Sequence, residues 1–449
     1  MGLIQGGDIV KLEETQETLS ERIYRYIPPE EELRKYDSPS SDDLKEQSEF
    51  LERFPAAKLV FRYSHQLGKP IFVPPQHPLN KKGVSVPYDD YGQRVFEGLS
   101  LEPIVENDVN GQPRIVGGNL ILFGPRLTRA TRSVETHHFN LPMSMNNFGQ
   151  AIVDLGKVLG SQLLSSNGRP SRAYVRPAIF RGNSNAGVNP PKGFQTEMVI
   201  EEWNWPFYHP EETYTEGANV VAYLDLQRHG RIWAKEAANY PRGTLIGYRK
   251  EIMQEKLGIP IHECLFLAPF WLNPETGKVE LVDFSRLDTS DMVKAKGAIF
   301  ADGAGEEIST VRGNLMIYPP MEVNRLGGTT LDYAVAYMAP RMGVETQVGT
   351  FGLTDFESGE TSLLMLGNAA KIVAVKRLII ANSACEVVAD LELPIVKVAR
   401  QFVLGFEDEV TGRIPPSHPK LLTGIVFDDK TIKARETIYS AYPGWVNNR

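Results

Sequence analysis

The sequence predicts a mixed α/β protein with two domains and a helical N-terminal extension. The chain has 449 residues, more than one hydrophobic core normally accommodates. Apolar residues alternate in some runs, as in strands, and recur at helical spacing in others. One segment, RGNSNAGVNPPKG at 181–193, has neither pattern and is rich in Gly, Asn and Pro, which is typical of a linker.

These patterns place the predicted domain boundaries. We expect an N-terminal extension over residues 1–57, a small α/β domain over 58–184, a linker over 185–192 and a large domain over 193–449. The chain contains no internal repeat and no low-complexity tract, so a repeat architecture is not expected.

The extension is polar and highly charged. Residues 15–36 (TQETLSERIYRYIPPEEELRKY) predict a short helix, a break at the Pro-Pro pair and a second helix. Residues 42–54 predict a further helix, with Ser40 or Ser41 as its N-cap. The extension is therefore either an appendage packed on the core or an arm that binds a partner.

Strands and helices mix in the first domain. Residues 117–123 (GGNLILF) and 171–180 (SRAYVRPAIF) have the composition and alternation of strands. Residues 127–136 and 148–164 carry apolar residues at helical spacing.

The second half of the chain alternates between the two kinds of element. Strands are predicted at 218–225, 263–268, 298–311, 315–318 and 372–380, and helices at 245–257, 331–342 and 393–405. Pro394 lies in the first turn of the last helix, where proline is tolerated. This alternation favours an α/β domain over an all-β one.

Charge and composition exclude several classes of protein. The formal net charge of -8 argues against a broad nucleic-acid surface, and no apolar run approaches the 18 residues of a membrane span. Cys264 and Cys385 cannot form a disulfide framework, and the N-terminus has no basic and apolar signal region. We therefore expect a cytoplasmic protein that binds neither membrane nor nucleic acid.

Several weaker motifs carry no functional prediction. The adjacent pair His137-His138 lacks the spacing of a metal site, so no metal is expected. The segment 303–308 begins like a dinucleotide-binding loop but lacks the third glycine. No GxSxG motif is present, and neither cysteine has catalytic neighbours in the sequence.

Seven short segments carry a resemblance to one family, in the same order and at similar spacing from about residue 85 to about residue 400. The first four are YGQRVFEG at 91–98, FGPRLTRATRS at 123–133, AYVRPAIF at 173–180 and AKEAANY at 234–240. The others are ADGAGE at 301–306, PP at 319–320 with LGGTT at 326–330, and GNAA at 367–370. Together they resemble the branched-chain amino acid aminotransferases, which are class IV (fold type IV) enzymes that use pyridoxal 5′-phosphate (PLP).

The resemblance implies roles around the cofactor ring. Lys235 corresponds to the lysine that forms a Schiff base with the cofactor and then moves a proton, which requires an amine in a dry pocket. Asp302 corresponds to the carboxylate that pairs with the pyridine N–H. Leu326 is expected on the ring face and Tyr240 at the phenolic oxygen.

The cofactor phosphate needs a cation and backbone donors. By resemblance Arg129 supplies the cation. The N–H groups of Thr329 and Thr330 are expected to bind the phosphate because they begin a predicted helix, whose N-terminus attracts anions. Asn368 could add a side-chain donor.

Other positions correspond to substrate-binding residues. The family holds the substrate carboxylate with a tyrosine and a turn, which are Tyr174, Asn368 and Ala369 here. Arg176 corresponds to the arginine that binds the acidic side chain of glutamate, and a structural salt bridge is its alternative.

The side-chain pocket of the family has aromatic walls. Tyr91 and Phe96 occupy the corresponding positions of this chain. Packing in an aromatic core is the alternative for both residues.

Several positions depart from the family pattern. Asp302 replaces a glutamate and is one methylene shorter, Gly327-Gly328 replaces Pro-Gly, and Asn368 replaces a threonine. Glu236 adds a charge beside the lysine, and residues 270–297 have no counterpart. These changes put the ordinary branched-chain substrates in question.

Three functions follow from the resemblance and the departures. The first is a PLP-dependent aminotransferase that moves an amino group between an amino acid, branched-chain or glutamate, and a 2-oxo acid. The second is a PLP-dependent lyase or a specialised-metabolism enzyme on the same fold. The third is a binding protein that has lost turnover. The resemblance also implies a homodimer.

Overall fold

The computed structural model describes residues 17–36, 39–53, 58–81, 94–181, 195–227, 234–237, 241–273, 276, 278–281, 292–367, 369 and 371–442. Backbone contacts divide the chain into two compact units. The first unit is Met1–Pro206 with Lys420–Arg449, and the second is Phe207–Pro419.

The first unit contains an eight-stranded sheet with the order β2-β1-β9-β8-β4-β5-β20, in which β3 also pairs with β8. Its strands are β1 (Val60–Ser64), β2 (Lys69–Val73), β3 (Arg94–Phe96), β4 (Leu99–Asn107), β5 (Pro113–Ile121), β8 (Ala173–Arg181), β9 (Thr196–Asn204) and β20 (Leu422–Val426). A separate hairpin joins β6 (Ser165–Ser166) to β7 (Arg169–Pro170). All the pairs of the large sheet are antiparallel.

Helices of the first unit follow the capping signals in the sequence. They are α1 (Leu19–Tyr26), α2 (Glu30–Leu33), α3 (Ser41–Arg53), α4 (Pro78–Lys81), α5 (Phe123–Thr136), α6 (Met145–Leu163) and α13 (Asp429–Ser440). The Thr18 side chain caps α1, the Ser144 side chain caps α6 and the Asp428 side chain caps α13.

The N-terminal extension packs on the core of the first unit. Ile23 and Tyr26 are buried, and the Tyr26 ring stacks on Phe72 at 4.2 Å between centroids. Arg22 forms a two-pronged ion pair with Asp154 of α6, with N–O distances of 2.9 and 3.0 Å. Helix α1 is therefore held by apolar contacts and by a buried charge pair.

The second unit contains a ten-stranded mixed sheet with the order β12-β11-β10-β18-β17-β14-β15-β16, in which β13 pairs with β11 and β19 with β18. Its strands are β10 (Ala218–Gln227), β11 (Glu263–Leu272), β12 (Val279–Leu281), β13 (Ala298–Gly303), β14 (Glu307–Arg312), β15 (Leu315–Tyr318), β16 (Glu345–Val348), β17 (Thr361–Leu366), β18 (Ile372–Ala381) and β19 (Val387–Glu392). The β10-β11, β10-β18 and β15-β16 pairs are parallel.

Helices flank this sheet. They are α7 (Glu212–Glu216), α8 (Pro241–Leu257), α9 (Met292–Gly297), α10 (Thr329–Tyr333), α11 (Ala339–Arg341) and α12 (Lys397–Val410). A π-helical turn, Ala334–Met338, makes α10 and α11 one continuous helical segment. Within the described residues, no helix is both long and apolar enough to cross a membrane.

Most predicted elements are present, with three informative differences. The helix predicted at 393–405 begins at Lys397, because Val396 is still extended, so Pro394 precedes the helix and does not lie in its first turn. The strand predicted at 117–123 ends at Ile121, because Phe123 already begins α5. The strand predicted at 298–311 is two strands, because a tight turn with a 2.7 Å hydrogen bond from Gly303 N–H to the Glu306 carbonyl separates them.

The compact units and the predicted domains differ in their bounds. The predicted linker, 185–192, lies outside the described residues. Strand β9 pairs with β8, and β20 pairs with β5, so both lie in the first unit although the predicted large domain includes them. The second unit is thus formed by one continuous stretch of chain, Phe207–Pro419, and the residues after it belong to the first unit again.

Candidate active site

Three of the predicted substrate-binding residues meet in the first unit. The Arg176 guanidinium lies over the rings of Phe96, Tyr174 and Trp203, at 5.0, 5.1 and 5.8 Å from their centroids. It also donates a 3.2 Å hydrogen bond to the Tyr174 hydroxyl. Strands β3, β8 and β9 bring these residues together because they are neighbours in the sheet. The result is a cation with aromatic walls.

Tyr174 is fixed from two sides. Its ring packs against Trp203 and Trp205, at 4.9 and 5.0 Å between centroids. Its hydroxyl approaches the backbone of Gly98 so closely that a Cβ there would lie 2.0 Å from Oη. The glycine of the VFEG motif therefore leaves room for the tyrosine.

Arg129 has a buried counter-charge in the same unit. Its Nε and Nη2 each donate a 2.7 Å hydrogen bond to one oxygen of Glu97. This two-pronged geometry orients the guanidinium plane. Glu97 is also part of the YGQRVFEG segment, although its sequence context predicted no role for it.

Asp302 and Leu326 meet in the second unit. Both are buried, and the Leu326 N–H donates a 3.1 Å hydrogen bond to Asp302 Oδ2, while Gly303 N–H donates one of 3.1 Å to Oδ1. Two segments that are 24 residues apart in sequence, ADGAGE and LGGTT, are therefore joined at the predicted ring-binding residues.

The turn before α10 is held by a second buried ion pair. Arg325 Nη1 and the Gly328 N–H both donate to Glu307 Oε1, at 2.5 and 2.7 Å. Thr329 and Thr330, which begin α10, are both buried. The Thr329 hydroxyl is a buried group without a hydrogen-bond partner among the described residues. Such an unsatisfied hydroxyl at a helix start fits an anion.

Lys235 lies half-buried, directly after the buried Ala234. Its ammonium group and the Asp302 carboxylate are both within electrostatic range of Glu306. The predicted lysine and the predicted ring partner thus share one acidic neighbour.

Glu306 belongs to a buried polar cluster with Glu263 and His209. Their ligand-type atoms all lie within 4.8 Å of one another, so this group could also hold a metal ion. His209 Nε2 is 3.5 Å from Glu306 Oε1, and the Tyr208 hydroxyl donates a 3.2 Å hydrogen bond to Glu263 Oε2. Burial, together with the charge of Glu306, raises the pKa of Glu263 well above its usual value.

The remaining predicted site residues have less structural context. Tyr91, Tyr240 and Asn368 lie outside the described residues. Ala369 is half-buried in the turn between β17 and β18.

The sequence predicted no role for several neighbours of these groups, among them Glu97, Trp203, Glu263 and Glu306. Glu97 and Glu306 lie inside the YGQRVFEG and ADGAGE segments, so an acidic residue within a matched segment was a usable signal. Glu263 and Trp203 lie in other strands, and only strand pairing within its own unit brings each of them to its neighbours.

Comparison with known proteins agrees with this architecture. No protein-family model matches the chain. The chain is 23% identical over 291 residues to the branched-chain-amino-acid aminotransferase of Escherichia coli (strain K12). The aligned region covers 64% of this chain and 76% of that protein. The corresponding enzyme of Salmonella typhimurium (strain LT2) has the same identity and coverage.

Solved structures give the same result. The branched-chain aminotransferase of Escherichia coli superposes with a TM-score of 0.56 at 20% identity, over 81% of this chain and 98% of that one. The T.th. branched-chain aminotransferase in complex with N-(5′-phosphopyridoxyl)-L-glutamate has a TM-score of 0.57 at 20% identity, over 82% and 98%. The predicted fold and the predicted resemblance are therefore confirmed.

Proposed function

We propose that this protein is a PLP-dependent aminotransferase, which moves an amino group between an amino acid and a 2-oxo acid. The observation that carries the proposal is the junction of the ADGAGE and LGGTT segments, where Leu326 N–H binds the buried Asp302 carboxylate. The fold supports it, because structures of the same fold are branched-chain aminotransferases, and one of them is a complex with a phosphopyridoxyl amino acid.

The second unit supplies groups that fit the cofactor. Asp302 is a buried carboxylate held by two backbone N–H groups, suited to pair with a ring N–H. Thr329 contributes an unsatisfied buried hydroxyl at the start of α10, suited to a phosphate. We assign the ring face to Leu326, and further phosphate contacts to Thr330, Asn368 and Arg129. Tyr240 is assigned to the phenolic oxygen.

When bound, PLP withdraws electron density from the substrate Cα and makes its proton acidic. We assign Lys235 as the base and as the residue that anchors the cofactor. Its Nζ takes the proton from the substrate Cα and holds it for redelivery. Asp302, whose two oxygens are held by backbone N–H groups, would pair with the ring N–H of the cofactor. One methylene less than glutamate places this carboxyl group nearer to β13.

Substrate recognition is assigned to the first unit. Arg176 and the Tyr174 hydroxyl form a polar pair inside the aromatic walls. Such a pair suits a carboxylate, so glutamate is our first choice as amino donor. Tyr91 and Phe96 are assigned to the side-chain pocket, and the turn with Ala369 to the substrate α-carboxylate.

The first experiment tests the cofactor and its lysine. Purified protein incubated with PLP is expected to give a visible absorbance band that bleaches when an amino donor is added. Lys235→Ala should lack that band, whereas Lys397→Ala, at an exposed position of α12, should keep it. A wild-type protein without the band would contradict the proposal.

A second experiment tests the substrate assignment. Arg176→Gln should raise KM for glutamate at least about tenfold, since a hydrogen bond to a charged group is worth about 1.5–3 kcal/mol. The KM of the same variant for an apolar donor such as leucine is the internal control and should change much less. Equal changes for both donors would contradict the assignment of Arg176 to the acidic side chain.

A lyase is the second candidate, favoured by the shortened carboxylate at Asp302 and by the residues between Phe270 and Gly297. The two activities differ in nitrogen balance. A transaminase forms one new amino acid for each 2-oxo acid released, while a β-eliminating lyase releases ammonium. Measuring ammonium and amino-acid product together separates them. We also propose a homodimer, which sedimentation of the purified protein tests.

A further inference from the structure

The second unit contains two buried carboxyl groups that the proposed mechanism does not use. Glu263 begins β11 and Glu306 ends the turn before β14. Glu263 is 5% exposed and Glu306 is 4% exposed. Burial of two acidic groups side by side is costly unless they share charge or a proton.

Their hydrogen bonds indicate how the cost is met. Glu263 accepts from Cys264 N–H at 2.8 Å and from the Tyr208 hydroxyl at 3.2 Å. Glu306 Oε2 has no hydrogen-bond partner in the described part of the chain, and a Glu263 carboxyl oxygen lies within 4.8 Å of a Glu306 oxygen. Two carboxylates in contact repel each other, whereas an acid and a carboxylate form a strong hydrogen bond.

Charged and titratable groups surround the pair on several sides. His209 and Tyr208 approach it from the segment before α7, and Asp302 and Lys235 are within electrostatic range of Glu306. Lys250 of α8 is a more distant cation, and Cys264 adjoins Glu263 in sequence. Burial raises the pKa of both carboxyls, and contact with Glu306 raises that of Glu263 further.

We propose that Glu263 and Glu306 share one proton, donated by the Glu263 carboxyl, so that Glu306 presents a single fixed negative charge to Lys235. The pair is thus a positioning device for the lysine, with His209 and Tyr208 holding its far side. The link to Lys235 rests on the proposed function, whereas the shared proton does not. The O–H stays on Glu263 and its hydrogen lies toward the Glu306 oxygen.

Infrared spectroscopy of the purified full-length protein tests the shared proton. At pH 8 we expect a carboxylic-acid C=O band of a hydrogen-bonded acid, which Glu263→Gln removes. Glu263→Gln preserves size and still donates to Glu306, so it is expected to fold. A wild-type protein without such a band at pH 8, or a band that survives Glu263→Gln, overturns the proposal.

Glu202 provides the matched control. It is fully buried in the first unit, and neither of its oxygens has a hydrogen-bond partner among the described residues. Burial raises its pKa well above the usual value, so it should contribute a separate band of a non-hydrogen-bonded acid. Glu202→Gln should remove that band alone. Loss of the hydrogen-bonded acid band in Glu202→Gln would show that this band arises from Glu202 and not from Glu263, and it would overturn the proposal.

The pH midpoint of the visible cofactor band tests the effect on Lys235. Glu306→Gln removes the negative charge and should lower that midpoint by about one pH unit, since a nearby opposite charge is worth about 1–3 units. Glu263→Gln should leave it within a few tenths of a unit. Equal shifts in both variants, or none, overturn the positioning role. If no cofactor band forms at all, the proposed function fails while the infrared result still stands.

A bound divalent metal is the competing explanation of the cluster. A metal on His209, Glu263 and Glu306 would ionise both carboxyls and abolish the acid band. Elemental analysis of the purified protein, with and without added Zn²⁺ or Mg²⁺, distinguishes the two. A stoichiometric metal that survives dialysis and depends on Glu263 overturns the shared proton, and a metal-free protein that has the acid band supports it.

Discussion

Position 98 requires a glycine, because the Tyr174 hydroxyl occupies the space that a side chain at this position would need. A Cβ at Gly98 would lie 2.0 Å from Tyr174 Oη and 2.7 Å from Cζ. Gly98→Ala should therefore displace the tyrosine ring and, through the hydrogen bond to Oη, the Arg176 guanidinium.

We expect Gly98→Ala to raise KM for glutamate about tenfold, by loss of one charged hydrogen bond, with a smaller effect on kcat. Steady-state kinetics measures this. Gly247→Ala is the matched control, because a Cβ there meets no atom within 4 Å and alanine favours its helix. An unchanged KM in Gly98→Ala would mean that Tyr174 does not contact the substrate.

Glu97 balances a buried guanidinium. Removing its charge leaves the buried Arg129 guanidinium without its counter-charge, and breaking one side of a buried pair costs about 3–5 kcal/mol. Glu97→Gln should lower the free energy of unfolding in urea by an amount of this order. Glu360→Gln, which breaks an exposed pair with Arg312, should cost less than about 1 kcal/mol. Similar losses in both variants would contradict this prediction.

His77 makes the stability of the first unit pH-dependent. Burial lowers its pKa to about 4, and its neutral Nδ1 accepts the Leu79 N–H at 3.2 Å. In the unfolded chain the pKa is about 6.5, so below that pH the unfolded state binds the proton first. Stability present above about pH 6.5 is therefore lost as the pH falls toward about 4.

The full loss from His77 is on the order of 3 kcal/mol, from a difference of about 2.5 pKa units. Urea unfolding of wild type and His77→Gln between pH 7 and pH 4 measures it. The variant is expected to be less stable at pH 7 but to lose less stability on acidification. Parallel curves would assign the acid sensitivity to other groups.

At the level of the elements, a buried charge pair joins α1 to α6, in addition to the apolar contacts of Ile23 and Tyr26. Asp154 is fully buried, and its carboxylate accepts hydrogen bonds from Arg22, Gln150 and the Tyr26 hydroxyl. Arg22→Ala should cost about 3 kcal/mol, because it leaves a buried carboxylate without its cation. Arg25→Ala on the same helix breaks only an exposed pair and should cost under about 1 kcal/mol.

Limited proteolysis of these two variants separates local from global effects. If α1 is held as described, Arg22→Ala should be cleaved within residues 17–36 before any other site. Uniform resistance in both variants would indicate that the apolar contacts of Ile23 and Tyr26 suffice.

Local sequence patterns predicted the helices and strands better than they predicted which residues are neighbours in space. The helix at 145–163 was predicted within three residues, because the spacing of apolar residues along a helix is a local signal. The strand at 298–311 was predicted as continuous, because the apolar residues on each side hide the turn that Gly303 and Gly305 form. Strand β9 was not predicted because its acidic residues, such as Glu201 and Glu202, mask its alternation.

The same difference between local and non-local features applies to the candidate site. Asp302 and Leu326 were predicted from motif order, and their hydrogen bond joins them. Glu263 was not predicted, because its place beside Glu306 depends on the antiparallel pairing of β11 with β13, in which Phe266 faces Asp302. Sheet register is a non-local property, and a single sequence carries no direct record of it.

On the scale of the whole molecule, the two ends of the chain complete one core. Ile23 of α1 and Ile438 of α13 belong to the same buried cluster as Phe72 of β2, and the Tyr442 hydroxyl donates a 2.5 Å hydrogen bond to the Phe72 carbonyl. The core of the first unit is therefore built from segments that lie on both sides of the second unit in the sequence.

This arrangement predicts where a C-terminal substitution acts. Ile438→Ala should cost about 2–5 kcal/mol, since it removes a fully buried side chain. Hydrogen exchange should then accelerate in β1, β2 and α1 of the first unit, while β14 and β17 of the second unit keep their protection. Ile432→Ala, on the exposed face of the same helix, is the control and should change neither. Faster exchange throughout both units would instead mean that they unfold as a single cooperative body, which would make the C-terminal segment a requirement for the whole active protein.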